Sequence, residues 1–129
     1  WGVVGHAVRL GKPRTLTSNL HGGGTFGATE PFLQQLFPSE WEEILGTIYS
    51  LSQKIPPLLE QGHGPLVELG LDYGVDQQGK VWLIEANSKP GRRIMQRFLS
   101  EEERLPAVHN IVDYALYLLK RTAERREAQ

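Results

Sequence analysis

Two strand-like runs, Leu66 to Val75 and Lys80 to Asn87, flank the short turn sequence "DQQGK". Strands joined this closely can only pair antiparallel. A two-residue loop of Gln78 and Gly79 pairs Gln77 with Lys80. A four-residue loop from Gln77 to Lys80 pairs Asp76 with Val81. Both choices set Asp72 opposite Glu85 and Gly70 opposite Asn87. Side chains alternate along a strand, and paired residues share a face. One face therefore carries Glu68, Gly70 and Asp72 beside Val81, Leu83, Glu85 and Asn87. The other carries Val67, Leu69, Leu71, Tyr73 and Val75 beside Trp82, Ile84 and Ala86, and reads as a core face.

Asp and Asn are unusual in strands, and like charges directly opposed destabilise a sheet. A hard cation between Asp72 and Glu85 reverses that repulsion. A donor set made only of oxygen points to Mg²⁺ or Mn²⁺ rather than zinc. Mg²⁺ is commonly held by one or two carboxylates, with substrate phosphates and water completing the octahedron. Gly70 beside Asn87 leaves room for something to approach. The competing reading is a sheet with one wet face on which the acids are merely solvated.

The rest of the chain suits one compact unit of strands and helices, with no second domain. "WGVVGHAVRL" reads as a strand, "GKPR" as a turn and "TLTSNL" as extended. "HGGGTFGATEP" holds four glycines in eleven residues and reads as a loop. Trp41, Ile44, Leu45, Ile48, Leu51 and Ile55 recur at helical spacing, and Ser39 with Glu42 matches a capping box. Pro56 and Pro57 are expected to end or kink this helix, with a short continuation through Leu58 and Leu59. "GHGP" is a break and "SKPGRR" a turn. Val108, Ile111, Val112, Ala115, Leu118 and Leu119 signal a last helix. The expected organisation is one unit over 1–120 and a charged helix end or tail over 121–129.

The chain has 129 residues, no Cys and a formal net charge of −1. Disulfides and thiolate metal sites are thereby excluded. No global field calls for nucleic acid or a membrane surface. No apolar run approaches the roughly 20 residues that span a bilayer. The absence of Cys fits a reducing compartment. Strand-like sequence beginning at Trp1 suggests a piece of a longer protein.

"ELGLDYGVDQQGKVWLIEANSKPG" resembles the carboxy-terminal hairpin of the ATP-grasp ligases, whose hallmark is an Asp on one strand, Glu-x-Asn on the next, then Pro-Gly. The matching residues are Asp72, Glu85, Asn87, Pro90 and Gly91. "TSNLHGGG" is similar to a second motif of the same superfamily through Asn19 and Gly22 to Gly24. The chain from Trp1 to about Leu119 looks closest to the endospore coat-associated YheC/YheD type of ATP-grasp protein. The resemblance implies an α+β fold, a mostly antiparallel sheet with helices packed on one face, as the carboxy-terminal subdomain. It implies ATP and Mg²⁺ (or Mn²⁺) as cofactors, with Asp72, Glu85 and Asn87 as metal ligands. Asn19, His21, Gly22, Gly23 and Gly24 are the implied nucleotide-binding residues. Arg9, Asn19 and Arg92 are the implied catalytic residues, the arginines because guanidinium binds phosphate and carboxylate bidentately. Arg14, Lys89 and Arg93 are further basic residues nearby.

The implied reaction joins a small-molecule or peptide carboxylate to an amine through an acylphosphate. The implied partner in cis is an amino-terminal ATP-grasp subdomain. That subdomain supplies the phosphate-binding Lys, the glycine-rich lid and the adenine-pairing strand, none of which is found in this sequence. The isolated chain is therefore expected to show no turnover. Lys89 stands where many relatives have a small residue. The expected location is cytoplasmic or spore coat-associated. The alternative is a non-catalytic ATP-grasp-like protein of the spore coat, although a scaffold has no need of Asp72, Glu85 and Asn87 together. A metal-dependent phosphodiesterase is a third reading, which leaves the Asn19-Leu20-His21-Gly22 motif without a purpose. His6, His63 and His109 read as packing or surface residues, and Tyr73 and Trp82 as core.

Overall fold

A computed structural model describes residues 1–10, 25–91 and 101–127. The elements in chain order are β1 (Val8–Leu10), β2 (Thr25–Gly27), α1 (Thr29–Leu36), α2 (Trp41–His63), β3 (Gly70–Val75), β4 (Val81–Asn87) and α3 (Glu101–Glu127). The chain is α+β, and among the described residues it has two antiparallel two-stranded sheets, β1–β2 and β3–β4. "GKPR" and "TLTSNL" lie outside the described residues, as do the last residues of "SKPGRR".

The amino-terminal strand is shorter than its sequence suggests. Residues 1–7 have no regular structure. Their side chains attach to helices instead: the Trp1 indole donates to Glu60 Oε2 at 3.1 Å, and His6 Nδ1 lies 2.9 Å from Thr29 Oγ1. His6 also meets the Tyr49 ring edge-on, with centroids 5.5 Å apart. The expected packing role for His6 holds. The glycine-rich stretch read as a loop contains β2 and leads directly into α1.

In α2 the six apolar residues at helical spacing are all buried or half-buried, as the periodicity requires. Two expectations fail. The capping box does not form: Glu40 is the N-cap, without a side-chain bond, and the backbone N–H groups of Glu40 and Trp41 donate to Phe37 O. The prolines do not end the helix, which runs on to His63. Each removes one N–H from the ladder, yet Pro56 is fully buried. Pro57 beside it is exposed, so the helix is held through the pair on the Pro56 side.

Among the described residues, Leu33 of α1 and Ile44 of α2 are buried with Pro56. The β3–β4 turn rests on the same place, since a Cβ at Gly79 would lie 3.3 Å from Ile44 Cδ1. Tyr73 hydroxyl bonds Ser52 Oγ of α2 at 3.1 Å, so the Tyr73 face of the hairpin is the one turned to the helix. In α3 the half-buried side is Ile111, Tyr114 and Leu118, while Leu105, Val108, Val112, Leu116 and Leu119 are exposed. No helix among the described residues is long and apolar enough to cross a membrane.

Glu60 joins separate parts of the chain. Oε1 accepts the Leu66 N–H at 3.0 Å and the Tyr114 hydroxyl at 3.3 Å, while Oε2 accepts from Trp1. The Leu66 N–H, then the Trp1 indole, hold the Glu60 carboxyl below its usual 4.5. Burial, followed by the Glu60 charge, pushes the Tyr114 hydroxyl up. A carboxylate whose folded pKa is depressed stabilises the fold fully above its unfolded pKa, and that contribution drains away as pH falls through the folded value. Glu60→Gln is expected to cost on the order of 1 kcal/mol at neutral pH and to flatten the acid limb of the stability profile below pH 4.5. Urea unfolding of both proteins at stepped pH measures this, and parallel acid limbs contradict it.

Candidate functional site

The hairpin turn differs from both loops weighed from sequence. Gly79 N–H donates to Asp76 O at 3.0 Å and Asp76 N–H to Lys80 O at 3.1 Å. Gly79 has φ of +75°, a left-handed conformation that glycine adopts without penalty. The loop is thus the three residues Gln77, Gln78 and Gly79, a turn followed by a left-handed glycine. Asp76 fixes it from the side: Oδ1 accepts the N–H groups of Gln78 and Lys80, each at 3.0 Å, and Oδ2 accepts the Trp82 indole at 2.8 Å. The Trp82 bond is the main reason its carboxyl lies below the usual range.

A three-residue loop moves the register by one place. Val75 pairs with Val81, Gly74 with Trp82 and Tyr73 with Leu83. The register then shifts between Tyr73 and Asp72, leaving Ile84 as the extra residue. Beyond this bulge Asp72 faces Glu85, Leu71 faces Ala86 and Gly70 faces Asn87. The expected acidic pairing is therefore present, reached through two offsets that cancel. The assignment of faces near the turn is corrected. Val81 and Leu83 share the Tyr73 face. Trp82, opposite Gly74, lies on the Asp72 face, where it is exposed and covered by Lys80 Nζ at 4.0 Å from the ring centroid. Trp82 is not a core residue. Ile84 reaches over Gly74, its Cδ1 3.1 Å from where a Cβ would stand.

Asp72 and Glu85 are directly opposed, which places their Cβ atoms about 5 Å apart. Asp72 forms an ion pair with Arg9, whose Nη2 donates to Oδ2. Arg9 stands on β1 opposite Phe26. Glu85 is exposed and has no hydrogen-bond or ion-pair partner among the described residues. Asn87 Oδ1 accepts the Lys89 N–H at 2.8 Å, which turns the chain out of the strand. Pro90 then folds back on β3. A Cβ on Gly70 would lie 2.9 Å from Pro90 Cβ, so the space expected for a ligand beside Gly70 holds proline. Asn19, His21, Gly22, Gly23, Gly24 and Arg92 lie outside the described residues, as do Arg14 and Arg93.

Among the described residues no group of three or more His, Cys, Asp or Glu side chains converges as a metal site. The hairpin's set is two carboxylates and an amide oxygen. As hard donors on one accessible face, they suit Mg²⁺ chemically. The fit has one feature that spacing did not reveal: a guanidinium already holds one carboxylate oxygen. Arg9 was expected to bind a substrate anion, and no pattern in the sequence joins it to a residue 63 positions later.

A family model described as YheC/D like ATP-grasp matches residues 1–118. Endospore coat-associated protein YheC of Bacillus subtilis (strain 168) is 34% identical over 103 residues, 80% of this chain and 28% of its own length. Endospore coat-associated protein YheD of the same organism is 29% identical over 137 aligned positions, 99% of this chain and 28% of its own length. The chain thus spans under a third of these relatives. No solved structure matches it.

Gly70→Ala tests the role given to Pro90. The ring cannot swing aside as a flexible side chain does, so the backbone must move. The expected loss is roughly 1–3 kcal/mol, read by thermal or urea unfolding. Unchanged stability would mean that Pro90 does not pack on Gly70.

Proposed function

The chain belongs to the YheC/D-like ATP-grasp family, and on that premise we propose that it provides the cation-binding hairpin of an ATP-dependent carboxylate–amine ligase. The observation that supports this reading is the register of β3 and β4 beyond the bulge, with Asp72 against Glu85 and Asn87 on the same face. Asp72 and Glu85 would hold Mg²⁺, with the Asn87 amide oxygen beside them. When bound, that ion would neutralise charge on the phosphates of ATP. Asn19, His21 and the backbone of Gly22 to Gly24 would hold the phosphates, glycines allowing close approach of N–H groups. Arg9 and Arg92 would bind the anionic groups of the reaction.

In the proposed reaction a substrate carboxylate attacks the γ-phosphorus of ATP and ADP leaves. The amine then attacks the acyl carbon and displaces phosphate, giving an amide. The phosphate-binding Lys and the lid would come from the portion of such a protein that this chain does not span. A subdomain over 1–120 that works with an amino-terminal partner is part of the same proposal.

A second reading has its own support. Both relatives are named for association with the endospore coat, and Asp72 is tied up by Arg9. A non-catalytic coat protein that keeps the fold accommodates both facts. ADP release by the full-length protein, screened over amino acids and peptides with Mg²⁺, separates the two. The ligase reading expects release that depends on an acid substrate and falls on the order of 100-fold in Asp72→Ala. Release in no mixture, together with no thermal protection by Mg-ATP, favours the coat protein.

A further inference from the structure

The Arg9–Asp72 pair has a consequence for any cation that comes to the hairpin. Arg9 sits on a different sheet from Asp72, so their meeting is a tertiary contact and not a by-product of strand pairing. Among the described residues one guanidinium meets one of two opposed carboxylates, and the Glu85 carboxylate has no partner. The Asp72 side chain is 43% exposed, which leaves it open to an ion from solvent.

We infer that Arg9 competes with a divalent cation for Asp72, and is released from the carboxylate when the cation binds. This rests on the cation reading of Asp72 and Glu85 given above. The physical reason is simple. Arg9 Nη2 occupies Oδ2, so an ion entering between Asp72 and Glu85 must displace the guanidinium or share the carboxylate with it at short range. Sharing sets a unit positive charge against a double one. Displacement relieves that repulsion and leaves Arg9 with its donors unused beside whatever anion the cation carries. Before the cation arrives, the same guanidinium reduces the repulsion between Asp72 and Glu85 and keeps the hairpin face intact. Arg9 thus serves as a counter-ion in one state and an anion binder in the other.

Calorimetric titration of the full-length protein with Mn²⁺ alone, without nucleotide, tests the competition. Arg9→Met removes the charge and keeps an apolar stem of similar length. It is expected to bind Mn²⁺ roughly two- to fivefold more tightly than the unsubstituted protein, the range set by the worth of a partly exposed ion pair. Arg9→Lys, which keeps the charge, is expected to stay within about twofold. Equal or weaker binding by Arg9→Met overturns the competition while leaving the cation site standing; weaker binding would make Arg9 a residue that holds Asp72 in position. Absence of Mn²⁺ binding in every variant overturns the cation reading and the competition with it. A second measurement does not depend on the variants folding. The Arg9 side-chain Nε–H resonance of the unsubstituted protein is expected to shift during a Mg²⁺ titration. A resonance that stays fixed while Mg²⁺ binds overturns the release.

Discussion

The three-residue turn at Gln77–Gly79 moves each nearby pair by one place, and the bulge at Ile84 moves the pairing back before Asp72. Everything proposed for the acidic face depends on that compensation. Because side chains alternate with period two, a single uncorrected offset would send Glu85 and Asn87 to the opposite face from Asp72. The turn is held by its own chemistry, the left-handed Gly79 and the three bonds accepted by Asp76. The bulge therefore has to supply the correction. Bulges recur beside functional sites because they re-aim side chains, and this one aims a carboxylate.

Crowding on the same face gives β3 its composition. Gly70 and Gly74 flank Asp72 on that face. Pro90 folds over the first and Ile84 reaches over the second. A larger side chain at Gly70 would have to move the Pro90 ring, whereas at Gly74 the end of the Ile84 side chain need give only slightly. The proline that follows Glu-x-Asn thus has a packing role, and the Asn87 bond to the Lys89 N–H starts the chain on its way back. The acidic pair is left between two covered glycines, with Arg9 on one carboxylate and the other carboxylate exposed.

Much of this was legible in the residues, and the failures have physical causes. The pairing of Asp72 with Glu85 and of Gly70 with Asn87 agrees with the even-loop register only because the turn and the bulge offset each other, and six apolar positions were enough to place α2. The three-residue loop was available in "DQQG", where Asp can bond the backbone ahead and Gly can take a left-handed conformation, but weighing only even-numbered loops hid the bulge. Trp82 followed it onto the wrong face. Glycine count concealed β2, and α1 was marked by "TEP", an acidic residue and a proline in a first turn where missing N–H groups cost nothing. Pro56 and Pro57 misled because local propensity yields to burial. The Arg9–Asp72 pair could not be read at all, since nothing local encodes a contact between two sheets.

The central claim is that Asp72, Glu85 and Asn87 form one oxygen face suited to a divalent cation. Paramagnetic broadening by substoichiometric Mn²⁺, mapped over the amide resonances of the full-length protein, tests it most directly. The account predicts that the strongest broadening centres on Asp72, Glu85 and Asn87, with a weaker effect at Tyr73 and Leu83 on the far face. Broadening centred elsewhere, or none at these three residues, would contradict it.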